Sequence, residues 1–163
     1  MAFTQLYYHV VFSPRYRDAV IAEEWREDLQ RFFVAHLAAR RGERMFAVYA
    51  MPDHVHLLFR LPPGVSLAAR VDTLKTSSSK WIKAQGFCPG FYWQVGYGGF
   101  SVSQRALPIV KRYIVNQRSH HARQSSRKEL RLLLDRHEIS YEDRFLPELE
   151  ERLISRHPPH TEG

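Results

Sequence analysis

The sequence predicts an α+β fold in which an antiparallel sheet carries helices on one face. The chain has 163 residues, of which 44% are hydrophobic, and this length suits one domain with its own core. Four segments have the alternation or the residue composition of a strand, and predicted helices follow the first and the third of them. The resulting order, βαββαβ followed by further helices, is that of a ferredoxin-like fold.

The first half of the chain supplies three of the strands. Residues 5–13, QLYYHVVFS, are aromatic and β-branched and predict the first strand. Residues 18–41 have apolar side chains at helical spacing, and Gly42 predicts the end of that helix. Residues 45–51 and 55–61 predict two more strands, and the short link between them favours an antiparallel hairpin.

The second half supplies the remaining elements. Ser66 is a predicted N-cap of a helix that Gly86 ends. Residues 91–102, FYWQVGYGGFSV, predict a fourth strand that is rich in aromatic residues and glycine. Ser103 and Ser126 are predicted to cap two later helices.

Charge and composition limit the classes of function. The net charge of +7 and the pI of about 9.8 favour a polyanionic partner such as nucleic acid, although a solvated basic surface is the alternative. No apolar run approaches the roughly 20 residues of a membrane helix, and the N-terminus does not have the pattern of a signal peptide. The single cysteine, Cys88, excludes an internal disulfide, so we expect a cytoplasmic protein.

The segment MPDHVHLL places His54 and His56 on the same face of a predicted strand. Three interpretations of this pair are open. The rings could be structural and hydrogen-bonded, or they could belong to a structural zinc site, which usually has several cysteine ligands, whereas this chain has only Cys88 and no Cys-x-x-Cys motif. They could also form a platform for a catalytic divalent cation that activates a phosphodiester. The third interpretation requires a nucleophile, and Asp53, tyrosines and serines are all available.

The segment KRYIVNQ places Tyr113 and Gln117 four residues apart, on one face of a predicted helix. A tyrosine hydroxyl could attack a phosphodiester, and a glutamine oxygen could complete a metal site. Tyr113 could equally be a core aromatic, because Ile109, Val110 and Ile114 surround it in the sequence.

His54-Val55-His56 resembles the HUH motif, in which a bulky hydrophobic residue separates two histidines. With YIVNQ on a later helix, the chain resembles the single-tyrosine HUH transposases, small insertion-sequence enzymes that move DNA as single strands, and the related REP-associated tyrosine transposases. The segments YYHVVFSPRYR, YAMPDHVHLLF and WQVGYGGFSVS are also similar to this family, so the resemblance covers about residues 3–124.

The resemblance implies roles for four residues. Tyr113 matches the nucleophile that forms a 5′-phosphotyrosine, and His54, His56 and Gln117 match the ligands of Mg²⁺ or Mn²⁺. The implied substrate is single-stranded DNA with hairpin ends, and the implied assembly is a homodimer, with a monomer as the alternative. Residues 1–124 would form the catalytic part, and residues 125–163 a helical extension of the same domain with a disordered end.

Basic side chains near the two motifs and on the second helix are candidates for phosphate contacts. They are Arg15, Arg17, Arg70, Lys75, Lys80, Lys83, Lys111, Arg112 and Arg118. Two other functions stay open. One is a DNA-binding protein of the same fold that recognises hairpins without cutting, and the other is a metal-dependent hydrolase in which water attacks.

Overall fold

A computed structural model describes residues 2–117 and 126–137 of the chain. The strands are β1 (Leu6–Phe12), β2 (Arg44–Met51), β3 (His54–Leu61) and β4 (Gly98–Val102); the helices are α1 (Glu23–Ala38), α2 (Leu67–Ala84), α3 (Leu107–Val115) and α4 (Ser126–Arg136). The chain divides into two compact units, Met1–Arg123 and Gln124–Gly163. The first contains the sheet with α1 to α3, and the second contains α4. The predicted α+β fold is confirmed.

The sheet has the strand order β2-β3-β1-β4, and each neighbouring pair is antiparallel. The hairpin predicted from the short link between β2 and β3 is present. The register sets Val11 of β1 and Tyr49 of β2 on either side of His56. This is the ferredoxin-like order that the sequence predicts, with the histidine strand at the centre of the sheet.

One face of the sheet packs against α1 and α2 and forms the main core. β1 and β3 contribute alternate residues such as Val10, Leu57 and Phe59, all fully buried. The helices bury residues at intervals of three or four: Trp25, Leu29, Phe33 and Leu37 on α1, and Val71, Leu74 and Ile82 on α2. On α1 this spacing is that of the apolar stripe that predicts the helix, whereas α2 is predicted from Ser66 and Gly86 at its ends.

The opposite face of the sheet packs against α3. Ile114 of α3 is fully buried against Ala47 of β2 and Leu58 of β3. His54 and His56 alternate with Val55 and Leu57 along β3, so they lie on this face together with Leu58. The predicted nucleophile helix and the histidine pair therefore share one side of the sheet.

Several predicted helix ends are confirmed. The Ser66 hydroxyl accepts a hydrogen bond from the amide of Ala69 at 3.3 Å and caps α2. Gly42 and Gly86 follow α1 and α2 with φ of 82° and 73°, a region that glycine enters without steric cost. Within the described residues, no helix is both long and apolar enough to span a bilayer.

The fourth strand is shorter than predicted, because it begins at Gly98 and not at residue 91. Residues 91–97 form a loop beside the segment that follows β1, where Trp93 bridges Pro14, the Arg15 amide donates to the Tyr92 carbonyl and the Gln94 amide donates to the Ser13 carbonyl. The loop turns at Gly96, whose φ is 91°, and the Lys75 ammonium donates to the Gln94 and Gly96 carbonyls. These carbonyls are therefore engaged by a side chain and not by a neighbouring strand.

The chain makes a strained turn directly after β1. Tyr16 and Arg17 have φ of 61° and 52°, and they are the non-glycine residues with positive φ in the described ranges. Arg17 is buried, whereas Tyr16 is 52% exposed with the Arg15 guanidinium 5.0 Å from its ring centroid. The left-handed conformation costs a residue other than glycine about 1–2 kcal/mol.

Candidate active site

His54 and His56 occupy the first and third positions of β3, and both side chains are buried. Their ring centroids are 5.0 Å apart, and a ring nitrogen of each lies within 4.8 Å of the other. The alternation of the strand therefore brings two imidazoles close enough to share one cation, as the sequence predicts.

Each of these rings has a hydrogen-bond partner at Nδ1. The Asp53 carboxylate lies 2.7 Å from Nδ1 of His54, and Nε2 of His9 lies 2.8 Å from Nδ1 of His56. A metal-binding histidine commonly donates its second ring N–H to such a partner, which orients the ring. The Nε2 atoms of both rings are buried and are the donors that this arrangement presents to a cation.

His9 is a further residue of the site and is not predicted from the sequence. It lies on β1 opposite Leu58 and is 3% exposed, with its ring stacked on His56 at 5.1 Å between centroids. The available signal was a histidine in the apolar alternation of YYHVV, on the face of β1 that also carries Val11. Its partner became apparent only from the register between β1 and β3.

Tyr113 of α3 lies over the same histidines. Its ring centroid is 6.0 Å from that of His56 and 6.3 Å from that of His9, both in edge-on geometry. The tyrosine is half-buried and is not enclosed in the core. The two sequence motifs, 57 residues apart, therefore meet within one chain.

Gln117 follows the end of α3 and is fully buried. Its Nε2 donates to the Tyr113 carbonyl at 3.3 Å, so the two residues are separated by one turn, as predicted. Its Oε1 is buried and accepts no hydrogen bond from the described residues. A buried amide oxygen in this situation is costly unless a further partner binds it.

The donor set fits a divalent cation. Two imidazole nitrogens and an amide oxygen are neutral ligands, so a bound cation would retain its full charge toward a substrate. Mn²⁺ accepts both donor types, and Mg²⁺ prefers oxygen and usually retains bound waters. The buried Oε1 of Gln117 and the orientation of the two rings both agree with such a ligand.

Residues 2–117 match the sequence profile of the family described as "Transposase IS200 like". The chain belongs to this family. The protein is therefore a transposase, an enzyme that transfers DNA strands, and the expected resemblance to the single-tyrosine HUH transposases is confirmed.

Two curated relatives are similar in sequence to this transposase. It is 28% identical over 119 residues to the ISDra2 transposase TnpA of Deinococcus radiodurans. The matched region covers 69% of this chain and 84% of that protein. It is 27% identical over 97 residues to the IS200 transposase of Salmonella typhimurium, covering 52% of this chain and 63% of the relative.

Two solved structures share the fold. One is a crystal structure of a Deinococcus radiodurans R1 protein assigned as a transposase, with a TM-score of 0.56, 27% identity, and coverage of 71% of this chain and 93% of that chain. The other is a REP-associated tyrosine transposase bound to a REP hairpin, with a TM-score of 0.55, 16% identity, and coverage of 74% and 72%. The second likeness concerns the fold alone.

The basic residues predicted to contact DNA are distributed over both sides of the sheet. Lys111 and Arg112 are exposed on α3, the helix of Tyr113, and Arg15 is exposed at the end of β1. Lys80 is exposed and Lys83 half-buried on α2, which packs on the other face of the sheet. Arg118 lies outside the described residues.

Three of the predicted DNA-binding cations are engaged within the protein. Arg70 donates to the Glu43 carboxylate at 2.6 Å, and Arg17 is 3% exposed. The Lys75 ammonium donates to the Gln94 carbonyl at 2.7 Å and to the Gly96 carbonyl, and burial lowers its pKa. These contacts hold loops and helix ends together, so a role in DNA binding at these positions stays a prediction.

Proposed function

We propose that this transposase cuts and rejoins single-stranded DNA beside hairpins through a 5′-phosphotyrosine on Tyr113. His54, His56 and Gln117 would hold Mg²⁺ or Mn²⁺ next to the scissile phosphate. The main support is the packing of the Tyr113 ring against His56, with the Gln117 amide one turn away. These contacts support a site in which one nucleophile and three metal donors act together on this face of the sheet.

The cation would polarise the phosphate and offset the negative charge that develops during attack. The hydroxyl of a tyrosine has an ordinary pKa near 10, so at neutral pH it is a weak nucleophile without such help. His54 and His56 would contribute Nε2, because Asp53 and His9 occupy their Nδ1 atoms.

The proposed reaction is a phosphoryl transfer in which one ester bond to phosphorus replaces another. The Tyr113 oxygen forms a bond to phosphorus, the bond from phosphorus to the 3′ oxygen breaks, and the proton lost by the phenol is matched by the proton gained by the 3′-hydroxyl. The energy of the diester is retained in the phosphotyrosine, so a second 3′-hydroxyl can attack it and rejoin a strand. No nucleotide cofactor is required for this sequence.

We propose that the DNA strand passes the exposed cations on α3 and in the segment after β1. Lys111 and Arg112 lie one and two residues before Tyr113, and Arg15 lies beyond the end of β1 that carries Val11, the partner of His56. A second surface lies beside α2, on the other face of the sheet, where Tyr92 is 54% exposed with the Lys83 ammonium 4.2 Å from its ring centroid. Exposed aromatic rings beside cations are suited to unpaired bases and their phosphates.

The hairpin and the assembly are also proposals. The fold neighbour bound to a REP hairpin supports a hairpin substrate for this chain. β2 and β4 are the edges of the described sheet, and a homodimer could form by pairing of one such edge. A DNA substrate and the single free cysteine, Cys88, are consistent with a cytoplasmic protein.

We expect a single strand with a hairpin to bind more tightly than the same sequence as a duplex. Bringing a phosphodiester to a tyrosine beside the sheet requires bending, which costs a flexible strand less than a stiff duplex. Binding should also weaken steeply with salt, by about one counterion for each phosphate contact.

A competition assay checks this expectation, with a labelled hairpin strand and unlabelled duplex at near-physiological salt. A random single strand of equal length serves as the control for non-specific binding. If the duplex competes as well as the hairpin and is cut as readily, the enzyme is a general nickase and not a single-strand transposase.

A further inference from the structure

The contact between His9 and His56 joins two neighbouring strands on the side of the sheet that carries Tyr113. Val11 is the direct partner of His56 in the register, so His9, two residues earlier on β1, is a diagonal neighbour. The rings are nearly parallel, at 27°, and both are buried. Water therefore does not compete freely with the 2.8 Å contact between Nε2 of His9 and Nδ1 of His56.

A hydrogen bond between two imidazole nitrogens needs one N–H and one lone pair, so two arrangements are chemically allowed. In the first, Nδ1–H of His56 donates to Nε2 of His9, and Nε2 of His56 has a lone pair. In the second, Nε2–H of His9 donates to Nδ1 of His56, and the proton of neutral His56 is on Nε2. Only the first arrangement lets Nε2 of His56 coordinate a cation.

The tautomer of His54 is fixed by a different group, the Asp53 carboxylate. A carboxylate only accepts, so at 2.7 Å it selects the Nδ1–H form of His54 and leaves Nε2 as the donor atom. At Nδ1 of His56 the partner at 2.8 Å is a second imidazole, that of His9, which can either donate or accept. The two metal-facing rings are thus held by chemically different partners.

We propose that His9 is a positioning residue that holds His56 in its Nδ1–H tautomer, with His9 itself protonated at Nδ1. The inference rests on the proposed role of His56 as a metal ligand. It predicts that the acceptor nitrogen of His9, and not only the volume of its ring, determines how well the site binds a cation.

Three variants separate these two contributions. His9→Phe keeps an aromatic ring for packing against His56 and Tyr113 but removes the acceptor. His9→Gln loses the ring but can offer an amide oxygen to Nδ1–H of His56. His36→Phe is the matched control, because it makes the same exchange on α1, on the other side of the sheet.

The first measurement is the tautomer of His56 in metal-free protein, from long-range ¹H–¹⁵N correlations of the imidazole. We expect Nδ1–H in the parent, in His9→Gln and in His36→Phe, and a shift toward Nε2–H in His9→Phe. A parent protein with His56 in the Nε2–H form would overturn the proposal, as would an unchanged tautomer in His9→Phe.

The second measurement is Mn²⁺ affinity by calorimetry, with thermal melting to confirm that each variant is folded. Loss of an outer-shell partner typically weakens metal binding about 10–100-fold, so we expect this loss in His9→Phe and partial recovery in His9→Gln. Equal affinity in His9→Phe and the parent would overturn the proposal. If the parent itself does not bind Mn²⁺, the proposed metal site fails, and the tautomer measurement still decides whether His9 sets the protonation of His56.

Discussion

Tyr113→Phe is expected to abolish the covalent attachment of the enzyme to DNA while hairpin binding and folding are retained. The substitution removes only the hydroxyl, and the remaining ring can still pack edge-on against His56 and His9. Removal of an essential nucleophile should lower adduct formation by several orders of magnitude. A denaturing gel of protein mixed with labelled hairpin strand measures the adduct, and a native gel measures binding.

Tyr7→Phe is a suitable control for the loss of a phenol hydroxyl. Tyr7 lies on the same strand and face as His9 and is buried against Phe46, with centroids 5.5 Å apart. It should retain adduct formation. A Tyr113→Phe protein that still forms the adduct would assign the nucleophile to another residue, which mass spectrometry of the linked peptide would identify.

His54→Ala and His56→Ala should each eliminate cleavage that depends on Mg²⁺ or Mn²⁺. Either change leaves a single imidazole donor, and the charge stabilisation lost is worth several kcal/mol, or at least about a hundredfold in rate. Gln117→Ala should reduce the rate less, because water can replace an amide oxygen as a ligand. Single-turnover cleavage at increasing Mn²⁺ concentrations, with and without chelator, provides the measurement.

His36→Ala, on the opposite side of the sheet, should cleave as the parent does and so controls for the loss of a histidine. Strand cleavage that persists in excess EDTA would contradict the metal site altogether. If the parent forms the adduct without metal and Tyr113→Phe does not, Tyr113 is still the nucleophile, but the histidines do not have the proposed role as metal ligands.

Local sequence patterns predicted most of the fold, because each element carries its own periodicity. The apolar stripe from Trp25 to Leu37 and the cap at Ser66 are complete within short segments of the chain. The predicted start of β4 was wrong, because it depends on a contact between distant parts of the chain. Residues 91–97 have strand-like composition, but the Lys75 ammonium, from a different element, engages two carbonyls there.

The same distinction applies to the site. The HVH alternation and the four-residue spacing of Tyr113 and Gln117 are local, so both pairs could be identified from the sequence. His9 could not, because its relation to His56 depends on which residues of β1 and β3 lie opposite each other. Asp53 was noted beside the histidines as a candidate nucleophile, whereas its carboxylate is hydrogen-bonded to Nδ1 of His54.

The left-handed turn at Tyr16 and Arg17 implies a trade-off between stability and activity. Glycine at position 16 would relieve most of the strain, with a net gain of about 1 kcal/mol after its larger unfolded-state entropy. Tyr16→Gly should therefore raise the melting temperature, yet weaken the hold on single-stranded DNA by removing an exposed ring next to Arg15. Melting curves and hairpin titrations on the same sample test both halves of this expectation. If the variant is more stable and binds DNA as tightly as the parent, the strained turn does not contribute to DNA binding.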